Sequence, residues 1–152
     1  MGEILRIRLA DGSFAYAQVL PKLFAFFALK NEAEIASAEV ARQPVLLIVA
    51  VHKSARKIWH SIGTEKIENQ LLNDVRFCKL DRLSKRTFIY TSKAFPVAAY
   101  DMAPAPPSEC IGLEPLVVWD PDQMERRLQL IFEGRDDPFV ENYRRELSEM
   151  LH

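Results

Sequence analysis

The stretch that most constrains the fold is residues 4–20, where two runs of alternating apolar and polar residues flank Asp11-Gly12. Asp-Gly between such runs is the strongest short-range signal of a β-hairpin, because a two-residue type I′ turn needs positive φ at both positions. With those two residues as the turn, the facing pairs are Leu9 and Phe14, Ile7 and Tyr16, Leu5 and Gln18, Arg8 and Ala15, Arg6 and Ala17, and Ile4 and Val19. The sequence therefore predicts an opening hairpin with one mainly apolar face and two arginines over alanines on the other.

Later apolar runs, separated by proline, glycine or charged links, predict more strands. Residues 23–29 are rich in phenylalanine, and residues 45–51 form a continuous run of β-branched residues and leucine. Residues 75–80 and 87–91 alternate cleanly and are expected to pair as antiparallel neighbours. A further short extended piece is expected at residues 96–100.

Two helices are predicted at the end of the chain, each opened by Asp-Pro. Asp120 and Asp137 can cap the helices, and the proline that follows each has no N–H to leave unsatisfied in the first turn. The apolar stripes are Met124, Leu128 and Ile131 in the first helix, and Phe139, Tyr143, Leu147 and Met150 in the second. Strands first and helices last predict an α+β fold: a strongly bent antiparallel sheet that could be barrel-like, packed by both helices in a single domain of residues 1–152.

Length and composition indicate an ordered protein outside the membrane. A chain of 152 residues that is 49% hydrophobic can bury a substantial core, and no apolar run approaches the roughly 20 residues of a membrane helix. The first residues lack a secretory pattern, so we expect a cytoplasmic protein. Cys78 and Cys110 stand singly in apolar surroundings, which favours buried free thiols over a disulfide in that compartment.

Charge is distributed unevenly along the chain. Residues 1–100 hold 15 Lys and Arg against 9 Asp and Glu, whereas residues 101–152 hold 5 against 12, which gives +6 and −7. One interpretation is an ordinary solvated helix surface, and the other is a patch that attracts a basic partner. The candidate partner-binding residues are Glu133, Asp136, Asp137, Glu141 and Glu149.

The search for catalytic chemistry finds little. The five glycines are scattered singly, so no phosphate-binding loop is present in the sequence. His52 and His60 are the internal histidines, and a lone histidine near a core strand is more often structural than catalytic. We therefore expect no catalytic residues, no metal and no cofactor, while a hydrolase that uses one of these histidines stays open as a hypothesis.

Nucleic-acid binding is a weaker alternative. A small adaptor barrel could bind nucleic acid, or another protein, through a basic set made of Arg6, Arg8, Lys53, Arg56 and Lys57. The small basic excess and the sequence pI near 6.3 argue against nucleic acid, because such domains usually carry a strongly basic face.

Several stretches together resemble one bacterial family. They are residues 2–4, the hairpin residues 11–19, Trp59-His60-Ser61-Ile62-Gly63, residues 109–114, and residues 118–121 continuing to 125–128. In this order and spacing the chain resembles immunity protein 26 of polymorphic toxin systems, with the strongest likeness in residues 109–128. It departs from that pattern at Ala17, where glycine is more usual, and at His60, where proline is expected.

The resemblance implies a binding function. Proteins of this family are understood to be cytoplasmic antidotes that bind and neutralise a cognate toxin, with no catalytic residues to carry over. We therefore expect a non-enzymatic immunity protein with a toxin domain as its partner. Trp119, directly before a capped helix, is expected to be a core anchor and not a contact residue.

Overall fold

Two β-sheets, each in its own compact unit, organise the chain. The structure, a computed structural model, describes residues 1–94 and 103–151, so the extended piece expected at residues 96–100 lies outside the described residues. One unit comprises Met1–Asn73 and Val118–Arg135, and the other comprises Asp74–Val117 and Asp136–His152. The fold is α+β, as predicted. The expectation of a single domain over residues 1–152 stays a prediction.

The first unit contains a six-stranded sheet in the order β10-β4-β3-β2-β1-β5. Its strands are β1 (Glu3–Arg8), β2 (Phe14–Val19), β3 (Phe24–Phe27), β4 (Val45–Val51), β5 (His60–Thr64) and β10 (Val118–Trp119), and its helices are α1 (Ser37–Ala41), α2 (Ala55–Ile58) and α4 (Pro121–Phe132). All neighbours pair antiparallel except β4 and β10. The edge strands β10 and β5 do not pair with each other, so the barrel-like closure considered for the sheet is wrong.

The predicted hairpin is confirmed, but its predicted register is wrong by one residue. Arg8 pairs with Phe14 and Arg6 with Tyr16, and the loop between the strands is longer than Asp11-Gly12. Only Gly12 of that pair has positive φ, +87°, and the Leu9 N–H donates to Ser13 O at 2.8 Å. This geometry is a three-residue turn ending in a left-handed glycine.

The cause of the shift lies in the aspartate side chain. Asp11 accepts hydrogen bonds from the Ser13 N–H at 3.0 Å and from the Ser13 hydroxyl at 2.5 Å, and these bonds favour a turn of Ala10, Asp11 and Gly12 with Leu9 paired to Ser13. Because a one-residue slip exchanges facing partners, Leu5 and Ile7 lie opposite Ala17 and Ala15, where the arginines were expected.

The core of the first unit lies on both faces of the β1–β4 sheet. On one face Ile4, Tyr16 and Phe27 pack with Val40 of α1 in a buried cluster. Elsewhere in the unit, the buried Trp59 ring lies 6.1 Å and 5.8 Å from the ring centroids of Phe24 and Phe26. These aromatic contacts help to explain why β3 is buried along its whole length.

The second unit contains a four-stranded sheet in the order β8-β7-β6-β9. Its elements are β6 (Arg76–Asp81), β7 (Arg86–Thr91), β8 (Ala103–Ala105), α3 (Pro107–Cys110), β9 (Glu114–Pro115) and α5 (Pro138–Met150). The predicted β6–β7 antiparallel pair is confirmed. The predicted α5 stripe needs one correction, because Val140, Tyr143 and Leu147 are buried whereas Phe139 is 43% exposed.

The two cysteines are bonded to each other, so the expectation of free thiols is wrong. Cys78 on β6 and Cys110 at the end of α3 lie with their Cα atoms 5.6 Å apart, within the usual disulfide range. Both are fully buried with Ile89, Tyr143 and Leu147. The pairing was invisible in the sequence because 32 positions separate the two residues, and only the packing of α3 in this unit brings them together.

The helix starts agree with the sequence. Asp120 and Gln123 form a capping box at α4, and Asp137 accepts from the Phe139 N–H at 2.8 Å at the start of α5. In α4 the buried face includes Met124 and Leu128, as predicted, and also Arg127. The Arg127 guanidinium lies 4.9 Å from the Trp119 ring, and Trp119 is itself buried, which confirms its role as a core anchor.

Candidate functional site

The five acidic candidates divide between the two units. Glu133 follows α4 in the first unit, where it is exposed and accepts from Gln129 Nε2 at 3.1 Å. The other four belong to the second unit, two at the start of α5 and two on its exposed side. Sequence proximity therefore does not by itself make these residues one continuous surface.

Asp136 and Asp137 are used inside the second unit. Asp136 is buried, and its carboxylate accepts from the Asp137 N–H at 2.7 Å and from Arg144 at 3.1 Å. Arg144 also lies 3.5 Å from Glu114, and Asp137 caps α5. These bonds fix the start of the helix, so a substitution at either aspartate would change the fold as well as the surface charge.

Glu141 and Glu149 are the exposed acidic candidates on α5. Glu149 lies 3.8 Å from Arg145 Nε in an exposed i,i+4 pair, an arrangement that contributes little to stability. The Glu149 carboxylate is therefore accessible to a partner at small cost to the fold, whereas Glu141 is exposed in the first turn of α5.

The polar core of the second unit includes the Tyr143 hydroxyl, which donates to Leu113 O at 3.2 Å. Burial, together with the negative charge of Glu114, holds the pKa of Tyr143 well above its usual value. This hydroxyl therefore acts as a fixed hydrogen-bond donor that ties α5 to the segment before β9.

The basic candidates are partly neutralised by neighbouring carboxylates. Arg6 lies 2.8 Å from Glu34 and over the Phe14 ring, and Arg56 lies 2.8 Å from Glu3. Arg8, in contrast, is exposed and has no ion-pair partner among the described residues. Lys53 and Lys57 are exposed around α2. Two of the five cations thus have partners of their own, which weakens the case for a nucleic-acid surface.

The histidines do not form a recognisable catalytic arrangement. His52 Nδ1 lies 2.8 Å from the Ser54 hydroxyl in an exposed turn, and His60 is exposed on β5. Within residues 1–94 and 103–151, no group of three His, Cys, Asp or Glu side chains is placed to hold a metal ion.

One exposed feature was missed at the sequence level, where residues 81–86 were treated only as a charged link. They form the tip of the β6–β7 hairpin, with Leu83 at 98% exposure between Arg82 and Lys85. A leucine bracketed by basic residues inside a short turn is a visible signal, but its full exposure depends on the fold.

A family model for immunity protein 26 matches residues 1–89. The chain belongs to the immunity protein 26 family. The match runs from β1 into β7 and so includes the opening hairpin and the β6–β7 hairpin. No curated protein and no solved structure matches the chain.

Membership in this immunity protein family indicates a toxin-neutralising role and a toxin partner, and such families are generally non-enzymatic. Residues 109–128, where the resemblance was strongest, lie beyond the matched residues, so that part of the likeness stays a prediction. None of the helices in the described part is long and apolar enough to cross a bilayer, the longest being the 13 residues of α5.

Proposed function

We propose that this chain is a non-enzymatic antidote that binds a cognate toxin domain of a polymorphic toxin system and thereby blocks its activity. The observation that carries the proposal is the match of residues 1–89 to the immunity protein 26 family. An antidote of this kind acts by complementarity, so its function depends on exposed side chains held by a stable scaffold.

Two of the carboxyl groups with lowered pKa values lie in hairpin turns. Asp11 has a pKa well below its usual range because Lys30 and then Ser13 bond its carboxylate, and Asp81 has a lowered pKa because Ser84 and then Leu83 bond it. Both groups stabilise turns at hairpin tips.

Part of the toxin contact is proposed to be formed by exposed acidic residues of the C-terminal third, one in the first unit and two in the second. Glu133, Glu141 and Glu149 supply accessible charge, while Asp136 and Asp137 hold the start of α5. Toxins that act on nucleic acid need a basic groove, and carboxylates are complementary to such a groove. Charge complementarity acts mainly on the association rate, so binding should be fast and sensitive to salt.

The test uses the purified toxin domain of a polymorphic toxin gene found next to the gene for this chain. Glu141→Lys and Glu149→Lys should each lower its association rate severalfold at low salt. Glu149→Lys should do so with little change in the free energy of unfolding, whereas Glu141→Lys should also destabilise the first turn of α5. Glu68→Lys is the matched control, because Glu68 is an exposed carboxylate of the first unit that bonds only Gln70 among the described residues.

Two results would count against parts of the proposal. If the association rate changes neither with ionic strength nor with these two charge reversals, the acidic residues are not part of the toxin contact. Failure of the unchanged chain to bind the toxin domain, or to protect cells that express it, would remove the antidote function itself.

A further inference from the structure

The buried disulfide of the second unit packs in one cluster with α5, the helix that carries two of the acidic residues proposed to contact the toxin. Cys78 and Cys110 are fully buried in this cluster with Tyr143 and Leu147, and Met150 packs against it. The last three of these residues belong to α5, whose carboxylates on the opposite side are exposed. The buried side of the helix thus depends on the same cluster as the disulfide.

A second connection between the disulfide and α5 runs through the segment that follows Cys110. The Leu113 N–H donates to Cys110 O at 3.0 Å, and Leu113 O accepts from the Tyr143 hydroxyl at 3.2 Å. Glu114, the next residue, lies 3.5 Å from Arg144. Since Cys110 is bonded to β6, the disulfide anchors to that strand a segment that in turn holds α5 in two places.

This α3–β9 segment, residues 107–115, has few other attachments of its own. α3 has four residues and no side-chain cap, and a helix of one turn is not stable without tertiary support. β9 has two residues, and one of them is Pro115, which has no N–H to donate to the sheet. The pair of Glu109 with Arg76, at 3.9 Å, is exposed and contributes little. The covalent bond is therefore the main attachment of this segment to β6.

Thiol–disulfide exchange opens and closes such a bond. Two molecules of a low-molecular-weight thiol reduce it: the bond between the two protein sulfurs breaks, a new disulfide forms between the small thiols, and both protons and both electrons pass to Cys78 and Cys110. The reverse exchange with a small disulfide oxidises the pair. Because both cysteines are fully buried, exchange requires α3 to open from β6, so each redox form persists while the chain binds a partner.

We propose that the pair of Cys78 and Cys110 is a redox switch that controls how α5 is presented to the toxin domain. The disulfide holds the helix in its binding position, and reduction releases the α3–β9 segment and lowers the affinity. The proposal rests on the proposed function and names the regulation of that contact. In a reducing cytoplasm, the compartment expected from the sequence, the disulfides that do occur are usually catalytic or redox-sensing, and fully buried sulfurs do not reach a substrate.

The binding test compares the full chain after equilibration with glutathione disulfide and after equilibration with glutathione. The probe is the purified toxin domain of the neighbouring toxin gene. The dissociation constant of the reduced chain should be at least about threefold larger, because affinity falls in proportion to the fraction of chains whose α5 is in the binding position. Equal affinity of the two redox forms overturns the proposal.

Hydrogen exchange of the two forms tests the same switch without the toxin. Reduction should lower the protection of amides in α5 and in the α3–β9 segment, whereas the β1–β2 hairpin of the first unit should keep its protection. The fluorescence of Trp59 and Trp119, both in the first unit, should not change. If reduction leaves the protection of α5 unchanged, or if it unfolds both units together, the disulfide is not a switch on α5.

Two variants separate the switch from other effects of the thiol. The Cys78→Ala, Cys110→Ala double variant should bind with one affinity in both glutathione buffers; a response equal to that of the unchanged chain would place the effect in the toxin and overturn the proposal. Tyr143→Phe removes the hydrogen bond to Leu113, so it should weaken binding of the oxidised chain more than binding of the reduced chain. Equal weakening of both forms would contradict the proposed connection through the α3–β9 segment.

Thiol alkylation of the chain in rapidly acid-quenched cells decides whether the switch operates. Growing cells should yield reduced Cys78 and Cys110, and exposure to an oxidant that converts glutathione to its disulfide should protect both from alkylation. A chain that is fully oxidised under both conditions carries a permanent bond, which overturns the proposal. Failure of the oxidised chain to bind the toxin domain would instead refute the proposed function, while hydrogen exchange still tests the effect on α5.

Discussion

Removal of the disulfide tests how the second unit is stabilised. Cys78 and Cys110 close a loop with a sequence separation of 32, for which the chain-entropy relation gives about 4 kcal/mol at 25 °C. With a urea m-value of about 2 kcal/mol/M, reduction should lower the unfolding midpoint by about 2 M. The measurement is urea unfolding of the oxidised and reduced chain, followed by circular dichroism.

The same titration tests whether residues 1–152 unfold as one domain. Both tryptophans, Trp59 and Trp119, belong to the first unit, whereas the disulfide belongs to the second. A single cooperative domain requires the fluorescence transition to coincide with the dichroism transition and to shift with it on reduction.

The control and the refuting result are direct. A Cys78→Ala, Cys110→Ala double variant should show no response to reductant. If oxidised and reduced chains unfold at the same urea concentration, or if the folded chain purified under oxidising conditions yields two alkylatable thiols, the disulfide does not stabilise this protein as argued.

Three further predictions follow from the packing and the turns. Gly12→Ala should destabilise the chain by about 1 kcal/mol, since a Cβ there meets no atom within 4 Å and the cost is the left-handed φ of +87°; thermal unfolding measures it, and an unchanged melting temperature would contradict it. Arg127→Ala should cost at least about 2 kcal/mol, because the fully buried guanidinium lies over Trp119, and Arg127→Lys should recover only part of it in chemical unfolding. The pKa values of the Asp11 and Asp81 carboxyl groups are lower in the folded chain than their ordinary value of 3.8, so these two groups stabilise the folded state at pH values above about 4. This stabilisation should be present at neutral pH and be lost as the pH falls below about 4. In urea titrations between pH 3 and pH 7, Asp81→Asn should reduce this pH dependence of the free energy of unfolding.

Elements with local determinants were predictable from the sequence. The starts of α4 and α5 followed from Asp-Pro pairs whose capping partners lie within three residues. The opening hairpin followed from alternation around Asp11-Gly12, yet its register did not, because the bonds from Ser13 to Asp11 lengthened the turn by one residue. Two hydrogen bonds to one side chain thus decided which residues face each other.

The candidate site was predictable in composition but not in exposure. Five carboxylates stood out in the acidic third, but only the fold shows that Asp136 is buried against Arg144 while Glu141 is exposed. The reverse holds for Leu83, an apolar residue that pattern alone would place inside. Exposure depends on which distant segments cover a residue, and periodicity within one element does not contain that information.

The sequence by itself determined the α+β class, the caps of the two long helices, the pairing of β6 with β7 and, through residues 1–89, the family. Each depends on neighbours a few positions apart or on an ordered pattern along the chain. The tertiary structure alone decided that the strands form two sheets with open edges, that Cys78 meets Cys110, and that the β6–β7 tip presents Leu83 to solvent. These features arise from contacts between residues far apart in sequence, whose formation depends on the packing of whole elements and not on local preference.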